Sequence, residues 1–219
     1  MKKNNLLLLF FLFVVLYSCN NIEGKNQPRI NQVNSTDMNT IRQNGFVKLQ
    51  SKSSEANVFC KAYGLNTEFC FLIDLSMHSG LKRLYIWNFN RDTITNSFLV
   101  SHGCYTNPWG KDASKNKAFV SNEDGSHASS IGKYRIGNRG HSEWGIGVNY
   151  LLHGQESSNS NALKRQIVLH SWDEVADDEV YPDGTPEGWG CPAVSNNSMK
   201  LMDDMLQRSQ KNVLLWVFQ

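Results

Sequence analysis

The chain has 219 residues, 40% of them in the apolar set and 11% aromatic, enough for one sizeable core, so one folded domain is the expectation. Lys and Arg number 22 against 20 Asp and Glu, but Lys2 and Lys3 open a segment that reads as removable. The remaining 20 basic and 20 acidic side chains balance, which excludes a protein held to nucleic acid by bulk charge.

Lys2 and Lys3 precede Leu6 to Tyr17, an unbroken apolar run of twelve residues. A bilayer-spanning helix needs about 20 such residues, so the run fits the core of a signal peptide better than a permanent span. It ends in Leu16-Tyr17-Ser18-Cys19, which resembles the bacterial lipobox. That resemblance implies removal of residues 1–18 and lipidation of Cys19; ordinary secretory cleavage near the same point is the alternative. Asn20 is not acidic, so an inner-membrane retention signal is missing and a periplasm-facing outer-membrane anchor is expected. Residues 19–40 read as a flexible tether, because Asn20, Asn21, Asn26, Asn31 and Asn34 with Pro28 and Ser35 offer little apolar surface to bury. The folded domain is expected over 41–219.

Within that domain a short helix is predicted with Ser54 as its cap, ahead of Glu55-Ala56-Asn57-Val58-Phe59, and Gly64 as its end. Phe71 to Leu75 and Arg83 to Trp87 are apolar or aromatic runs split by Ser79-Gly80, the pattern of a hairpin. Thr93 to Val100, Gly132 to Ile136, Trp144 to Leu152 and Arg165 to His170 are further strand candidates. Ser195 reads as the cap of a helix over Met199 to Gln207, with Met199, Met202 and Leu206 on one face. Asn212 to Phe218 closes the domain as a buried strand. Many strands and few helices predict a mainly β domain.

Five cysteines are present: Cys19, Cys60, Cys70, Cys104 and Cys191. In an oxidising compartment Cys60, Cys70 and Cys104 are expected to form one disulfide and leave one buried thiol, with all three pairings open. Cys191 differs. It lies in Gly188-Trp189-Gly190-Cys191-Pro192-Ala193-Val194, where Gly190 lets a substrate carbonyl approach the backbone and Pro192 holds Cys191 extended. Pro192 has no N–H, so oxyanion donors must come from Gly190, Cys191 or a neighbouring loop. A thiol becomes a useful nucleophile beside a base, and His170, at the end of Arg165-Gln166-Ile167-Val168-Leu169-His170, is the candidate. In that strand Val168 and His170 share one face, Ile167 and Leu169 the other. Taken alone the spacing is weak.

The run ending in His170, followed by Gly190-Cys191-Pro192-Ala193-Val194, resembles the murein L,D-transpeptidase catalytic domain in its YkuD-like branch, of the Bacteroidetes lipoprotein type. Ser101-His102-Gly103, Phe119-Val120-Ser121-Asn122, Ser129-Ser130-Ile131-Gly132-Lys133-Tyr134 and Asn161-Ala162-Leu163-Lys164-Arg165 fall in the family's order, and the likeness runs from about Phe69 to Phe218. It implies a mainly β sandwich or barrel-like fold with a few short helices. It also implies Cys191 as nucleophile, His170 as base and the backbone carbonyl of Ser171 orienting the ring. The implied chemistry is acyl transfer on peptidoglycan stem peptides, giving 3–3 cross-links through a thioester, without cofactor; carbapenem-type β-lactams are expected to acylate the same cysteine. The same fold with water as acceptor would be a carboxypeptidase or cross-link hydrolase, and an inactive peptidoglycan-binding lipoprotein is the third possibility. A monomer is expected.

One departure and one decoy stand out. The family writes its nucleophile motif Ser-x-Gly-Cys, whereas this chain has Gly188-Trp189-Gly190-Cys191, so either the expected supporting hydroxyl is absent or the loop is shortened. Ser101-His102-Gly103-Cys104 matches the motif literally but precedes the histidine strand, so Cys191 is the expected nucleophile. Gly132 and Tyr134 either line the donor-peptide cleft, as the resemblance implies, or form a strand with one buried aromatic. Trp109, Trp144 and Trp189 either flank the peptide or pack. His78, His102, His127, His141 and His153 lack metal-ligand spacing, so no metal is expected.

Overall fold

The computed structural model describes residues 35–219, with side chains from residue 45 onward. The expected signal peptide, Cys19 and the tether up to residue 34 lie outside the described residues.

Helix α1, Ser35–Ala62, is far longer than the sequence signals predict, and its first turns occupy 35–40, the expected end of the tether. No proline interrupts it. Leu49, Ser53, Ala56 and Cys60 recur at helical spacing and are all buried, so tertiary packing rather than a cap sets its extent. Ser54 sits mid-helix and donates its hydroxyl back to the Gln50 carbonyl at 3.0 Å instead of capping. Gly64, at φ +66°, ends the helix as expected, in the left-handed conformation that glycine adopts without strain.

Eight strands follow: β1 (Phe69–Asp74), β2 (Leu84–Asn88), β3 (Thr93–Phe98), β4 (Gly132–His141), β5 (Val148–Gly154), β6 (Val168–Ser171), β7 (Ala193–Val194) and β8 (Leu214–Phe218), with helix α2 (Asn196–Arg208) before the last. They form one sheet in the order β3-β2-β1-β8-β4-β5-β6-β7. The result is mainly β, nearly closed and barrel-like, with two α-helices. The β1–β2 hairpin pairs antiparallel as predicted, from Phe69 opposite Asn88 to Ile73 opposite Leu84. β4 runs beyond Ile136 through an irregularity between Ile136 and Arg139.

β8 is the seam. It pairs parallel with β1 and antiparallel with β4, so within the strand order it joins the sheet's two flanks. Alternation sends Leu215 and Val217 into the main core with Phe71, Ile73, Tyr134 and Ile136, while Leu214, Trp216 and Phe218 face α1. All five side chains of β8 are buried. At about 2 kcal/mol each, that burial is on the order of 10 kcal/mol, comparable with the whole net stability of an ordinary domain, about 5–15 kcal/mol. Ser195 caps α2 by accepting the Ser198 N–H, and Met199 and Met202 enter the main core, with Leu206 packed at its edge, as the sequence predicts.

The expected disulfide is not formed. Cys60, Cys70 and Cys104 are all free and buried. Cys60 and Cys70 pack as small apolar groups in the layer between α1 and the sheet, whereas Cys104 follows the Gly103–Gly188 bridge. Burial pushes the Cys60 thiol up to about 12 and the Cys70 thiol well above its ordinary value.

Candidate active site

The strand carrying His170 is shorter than predicted. Gln166 has φ +53°, so Arg165 and Gln166 form a turn and β6 begins at Val168. Within β6, half-buried Val168 and His170 alternate with buried Leu169 and Ser171, which turns the imidazole away from the core. β6 lies antiparallel to β5, His170 opposite Asn149, and parallel to β7, His170 opposite Ala193. That second pairing carries Cys191, two residues before Ala193, to the same end of the sheet. The loop is held tightly there: the Val168 N–H donates to Cys191 Sγ at 3.4 Å, and Sγ lies 3.9 Å from the Gln166 carbonyl oxygen.

Gly190 has a conformational and a steric reason to be glycine. Its φ is +101°, and a Cβ there would come 2.5 Å from the Ala128 carbonyl oxygen and 3.1 Å from Arg165 Nη2. Among the described residues, the backbone N–H groups of Trp189, Gly190 and Cys191 donate to no protein acceptor. They are free donors beside the nucleophile, the kind of group that can receive an oxyanion.

His170 Nδ1 lies 2.9 Å from the Ser171 carbonyl oxygen. A carbonyl can only accept, so Nδ1 carries the proton and Nε2 keeps the lone pair of a base. The Ser171 hydroxyl accepts the Ile146 N–H at 3.0 Å, which fixes the residue that holds the ring. Burial pushes the His170 pKa down, opposed by the Ser171 contact. Burial pushes the Cys191 thiol up, opposed by the Val168 N–H and the Arg165 guanidinium. The resting pair is therefore neutral thiol and neutral imidazole, and proton transfer to His170 must accompany attack.

Cys191 and His170 open into one cleft of about 300 Å³, lined also by Ser101, Trp109, Trp144, Trp172, Gly188, Trp189 and Ala193. No charged side chain faces this lining. Trp109 stacks on buried Trp172 at 5.0 Å between centroids, and Trp144 meets Trp172 edge-on at 6.1 Å. Trp189, 62% exposed, stacks on His127 at 5.3 Å. Trp109, Trp144 and Trp189 therefore line the cleft as well as pack.

Gly132 and Tyr134 do not line the cleft. Tyr134 is 2% exposed and donates its hydroxyl to the Ser130 carbonyl at 2.8 Å. It borders a void of about 10 Å³ behind the nucleophile loop, shared with Gly190 and Pro192. Gly132, at φ +130°, packs against Asn159, Ser158 and Glu156 and is not among the residues lining the cleft. Alternation along β4 turns Tyr134 into the main core, which is the correction to the cleft expectation.

Ser101-His102-Gly103-Cys104 lies against the nucleophile loop without forming a second site. Gly103 bridges Gly188 in parallel, the Gly188 N–H donates to the His102 carbonyl at 2.8 Å, and the Cys104 N–H donates to the Gly188 carbonyl at 2.7 Å. The His102 ring is fully buried and both nitrogens are engaged, Nδ1 with Arg83 Nη2 at 2.8 Å and Nε2 with Ser114 Oγ at 2.9 Å. It has no lone pair to offer Cys104, whose thiol burial raises.

Sequence reasoning gave no role to Arg165, Trp172 or the buried network of Arg83, His102 and Glu187. Arg165 donates to the Ser121 carbonyl at 2.9 Å, to Ser130 Oγ at 2.6 Å and to the Ala128 carbonyl at 2.5 Å. Every one of these partners is neutral, and the guanidinium lowers the Cys191 thiol pKa, as the smallest influence on it after burial and the Val168 N–H. The signal for it was present in the run Asn161 to Arg165, but nothing local says where that side chain points.

Among solved structures the chain is similar to Bd1075 of Bdellovibrio bacteriovorus, at 14% identity over 71% of this chain and 49% of that one, with a TM-score of 0.43. It is similar to the L,D-transpeptidase of Xylanimonas cellulosilytica at 12% identity, over 68% and 60% of the two chains, TM-score 0.38. The Enterococcus faecium L,D-transpeptidase matches at 10% identity, over 69% and 50%, TM-score 0.40. The matched part thus amounts to between 49% and 60% of the length of these structures. No curated protein matches the chain. The family model for the L,D-transpeptidase catalytic domain matches residues 43–217, and the chain belongs to that family.

Proposed function

We propose that this protein is a cysteine L,D-transpeptidase that acts on the tetrapeptide stems of peptidoglycan. The observation that carries the reading is the shared cleft: Cys191 and His170 open into it together, with the imidazole proton placed on Nδ1 by the Ser171 carbonyl. Cys191 Sγ attacks the carbonyl of the third stem residue while its proton passes to His170 Nε2. The free N–H groups of Trp189, Gly190 and Cys191 receive the developing oxyanion. Collapse breaks the bond to the terminal D-alanine, whose amine takes the proton from His170, and leaves a thioester on Cys191. The side-chain amine of a neighbouring stem then attacks the thioester, releases the thiol and forms a 3–3 cross-link.

The N-terminal reading extends this to place. Cleavage before Cys19 and lipidation of that residue would hold the enzyme, as a monomer, at the outer membrane facing the periplasm, next to its polymer.

Incubating the purified protein with disaccharide tetrapeptides and weighing the products separates the outcomes. A cross-linked dimer is expected. Trimmed tripeptide alone would replace the amine acceptor by water and make the protein an L,D-carboxypeptidase, and unchanged substrate would overturn an enzymatic reading.

A further inference from the structure

Ser101 holds a hydroxyl that the fold does not use. The residue is 2% exposed, yet it borders the cleft together with Cys191 and His170, at the floor rather than the rim. Its backbone is fixed to the nucleophile strand, since the Ser101 N–H donates to the Ala193 carbonyl at 2.8 Å. The side chain is not similarly engaged. Its one protein contact is the carbonyl of the next residue, His102, at 3.5 Å, beyond the range of an effective O–H···O bond. A buried hydroxyl in this state carries an unmet desolvation cost, which a ligand group entering the cleft can recover.

Position 188 explains why this hydroxyl is within reach. A Cβ on Gly188 would have a single neighbour within 4 Å, Ser101 Oγ at 3.6 Å. Gly188 thus leaves uncovered the patch of cleft floor that Ser101 occupies from the adjacent segment after β3. Its backbone lies outside the left-handed region, and the 3.6 Å spacing is ordinary contact, so a side chain at 188 would fit. Glycine at this position is therefore not demanded by sterics or by conformation, unlike Gly190.

We propose that Ser101 supplies the hydrogen-bond donor that the nucleophile loop lacks at position 188, donating from the neighbouring segment after β3 to the acyl group bound at Cys191. This rests on the transpeptidase reading. It assigns Ser101 a catalytic role in which its O–H strengthens its bond to the substrate oxygen as charge develops there. No bond to Ser101 is made or broken, and the proton traffic stays with His170.

The experiment compares wild type, Ser101→Ala, and the double variant Ser101→Ala with Gly188→Ser. Disaccharide tetrapeptide is the substrate, and iodoacetamide alkylation of Cys191 is a second readout. Ser101→Ala is expected to lower kcat about 100- to 1,000-fold, in line with loss of one oxyanion donor, with KM moving less than about threefold. Alkylation should be unchanged across its pH profile, because iodoacetamide forms no oxyanion. The double variant is expected to recover at least about tenfold in kcat, since a hydroxyl from 188 returns to the same patch. A merely structural role would depress alkylation and kcat together and would not be rescued. Wild-type turnover by Ser101→Ala, or a double variant no better than the single one, would overturn the proposal. If wild type turns over nothing, the transpeptidase reading fails by itself and Ser101 is judged on tetrapeptide affinity. Weakening about tenfold in Ser101→Ala supports it, and equal affinity overturns it.

Discussion

Arg83 donates Nη2 to Nδ1 of His102 at 2.8 Å, and because a guanidinium can only donate, this bond settles the imidazole as the neutral Nε2–H tautomer. Nε2–H then serves Ser114 Oγ, and the Glu187 carboxylate 3.9 Å from Nε2 is not an ion-pair partner of the ring. Glu187 itself accepts the Ser114 N–H at 2.5 Å and leads directly into Gly188. The network therefore ties the segment of Ser101 and His102 to the loop that leads into Cys191. Arg83 is fully buried; burial pushes it down to about 9, opposed by Asp74 and Glu187, so it remains cationic at neutral pH.

Replacing Arg83 with Met should destabilise the protein by about 3–5 kcal/mol, because the Val100 and Met77 carbonyls and the His102 ring lose their donor while Glu187 stays buried. Urea unfolding at pH 7.5 measures it. A loss under about 1 kcal/mol would remove the network from the account of the loop.

His102 also predicts acid sensitivity. Its folded pKa is pushed down to about 3, by burial first and by Arg83 second, against an ordinary value of 6.5. The unfolded chain thus binds a proton that the folded one refuses, so stability falls as pH drops through 6.5 towards 3, at up to about 1.4 kcal/mol per pH unit. Gln can accept from Arg83 and donate to Ser114, so His102→Gln should unfold with a slope one proton shallower over that window. Parallel pH slopes for the two proteins would contradict this.

For the cysteines the expectation is asymmetric. Cys191→Ala should abolish every product from disaccharide tetrapeptides, while Cys104→Ala, whose thiol is buried and lacks a base, should keep activity within about threefold of wild type. Mass spectrometry of the acylated protein after carbapenem treatment gives the same comparison without turnover: the adduct should survive in Cys104→Ala and vanish in Cys191→Ala.

Arg165→Gln should slow iodoacetamide alkylation of Cys191 at pH 7.5 by about three- to tenfold, since removing the cation raises the thiol pKa and one unit is a tenfold change in thiolate. Alkylation as fast as wild type would mean the guanidinium serves only to tie the loops of Ser121, Ala128 and Ser130.

The neutral resting pair sets the pH profile. His170 must be unprotonated to act, and its pKa is lowered, so the acid limb of kcat/KM should have its midpoint below 6.5. Reaction through free thiolate should keep rising to above pH 9. An alkylation rate that is flat down to pH 5 would instead reveal a thiolate–imidazolium pair.

Localisation has its own check. Cys19→Ala in the full chain should move the protein from the detergent-extracted membrane fraction to the soluble envelope fraction, and unchanged partitioning would remove the lipid anchor.

Local features were legible in the residues. The Ser195 cap, the Met199 and Met202 face of α2 and the apolar run of β8 each depend on short-range spacing, which a sequence displays directly. α1 was underestimated because its length rests on burial of Ser53, Ala56 and Cys60 against the sheet. The start of β6 was misplaced because Gln166 adopts a positive φ that non-glycine residues seldom take. Tyr134 was placed in the cleft from motif order, but which side of the nucleophile loop it occupies is decided by the register of β4 on β8. The convergence of Cys191 and His170 depends on β6 pairing with β7, and spacing alone could not show it; the family resemblance did. Arg83 stayed invisible because a buried cation looks like a surface one in sequence.

Synthesis runs from the amino end, yet β8, the eighth strand made, lies between flanks formed long before it. Until Leu214 to Phe218 dock, the β1–β3 flank with its α1 layer and the β4–β7 flank with the thiol and imidazole share no strand pairing and touch through their outer edges, where the Ser101 N–H meets the Ala193 carbonyl and Gly103 bridges Gly188. Such distant pairing closes slowly. Closing the sheet around Cys191 and His170 therefore waits on the last strand to be made, Leu214 to Phe218.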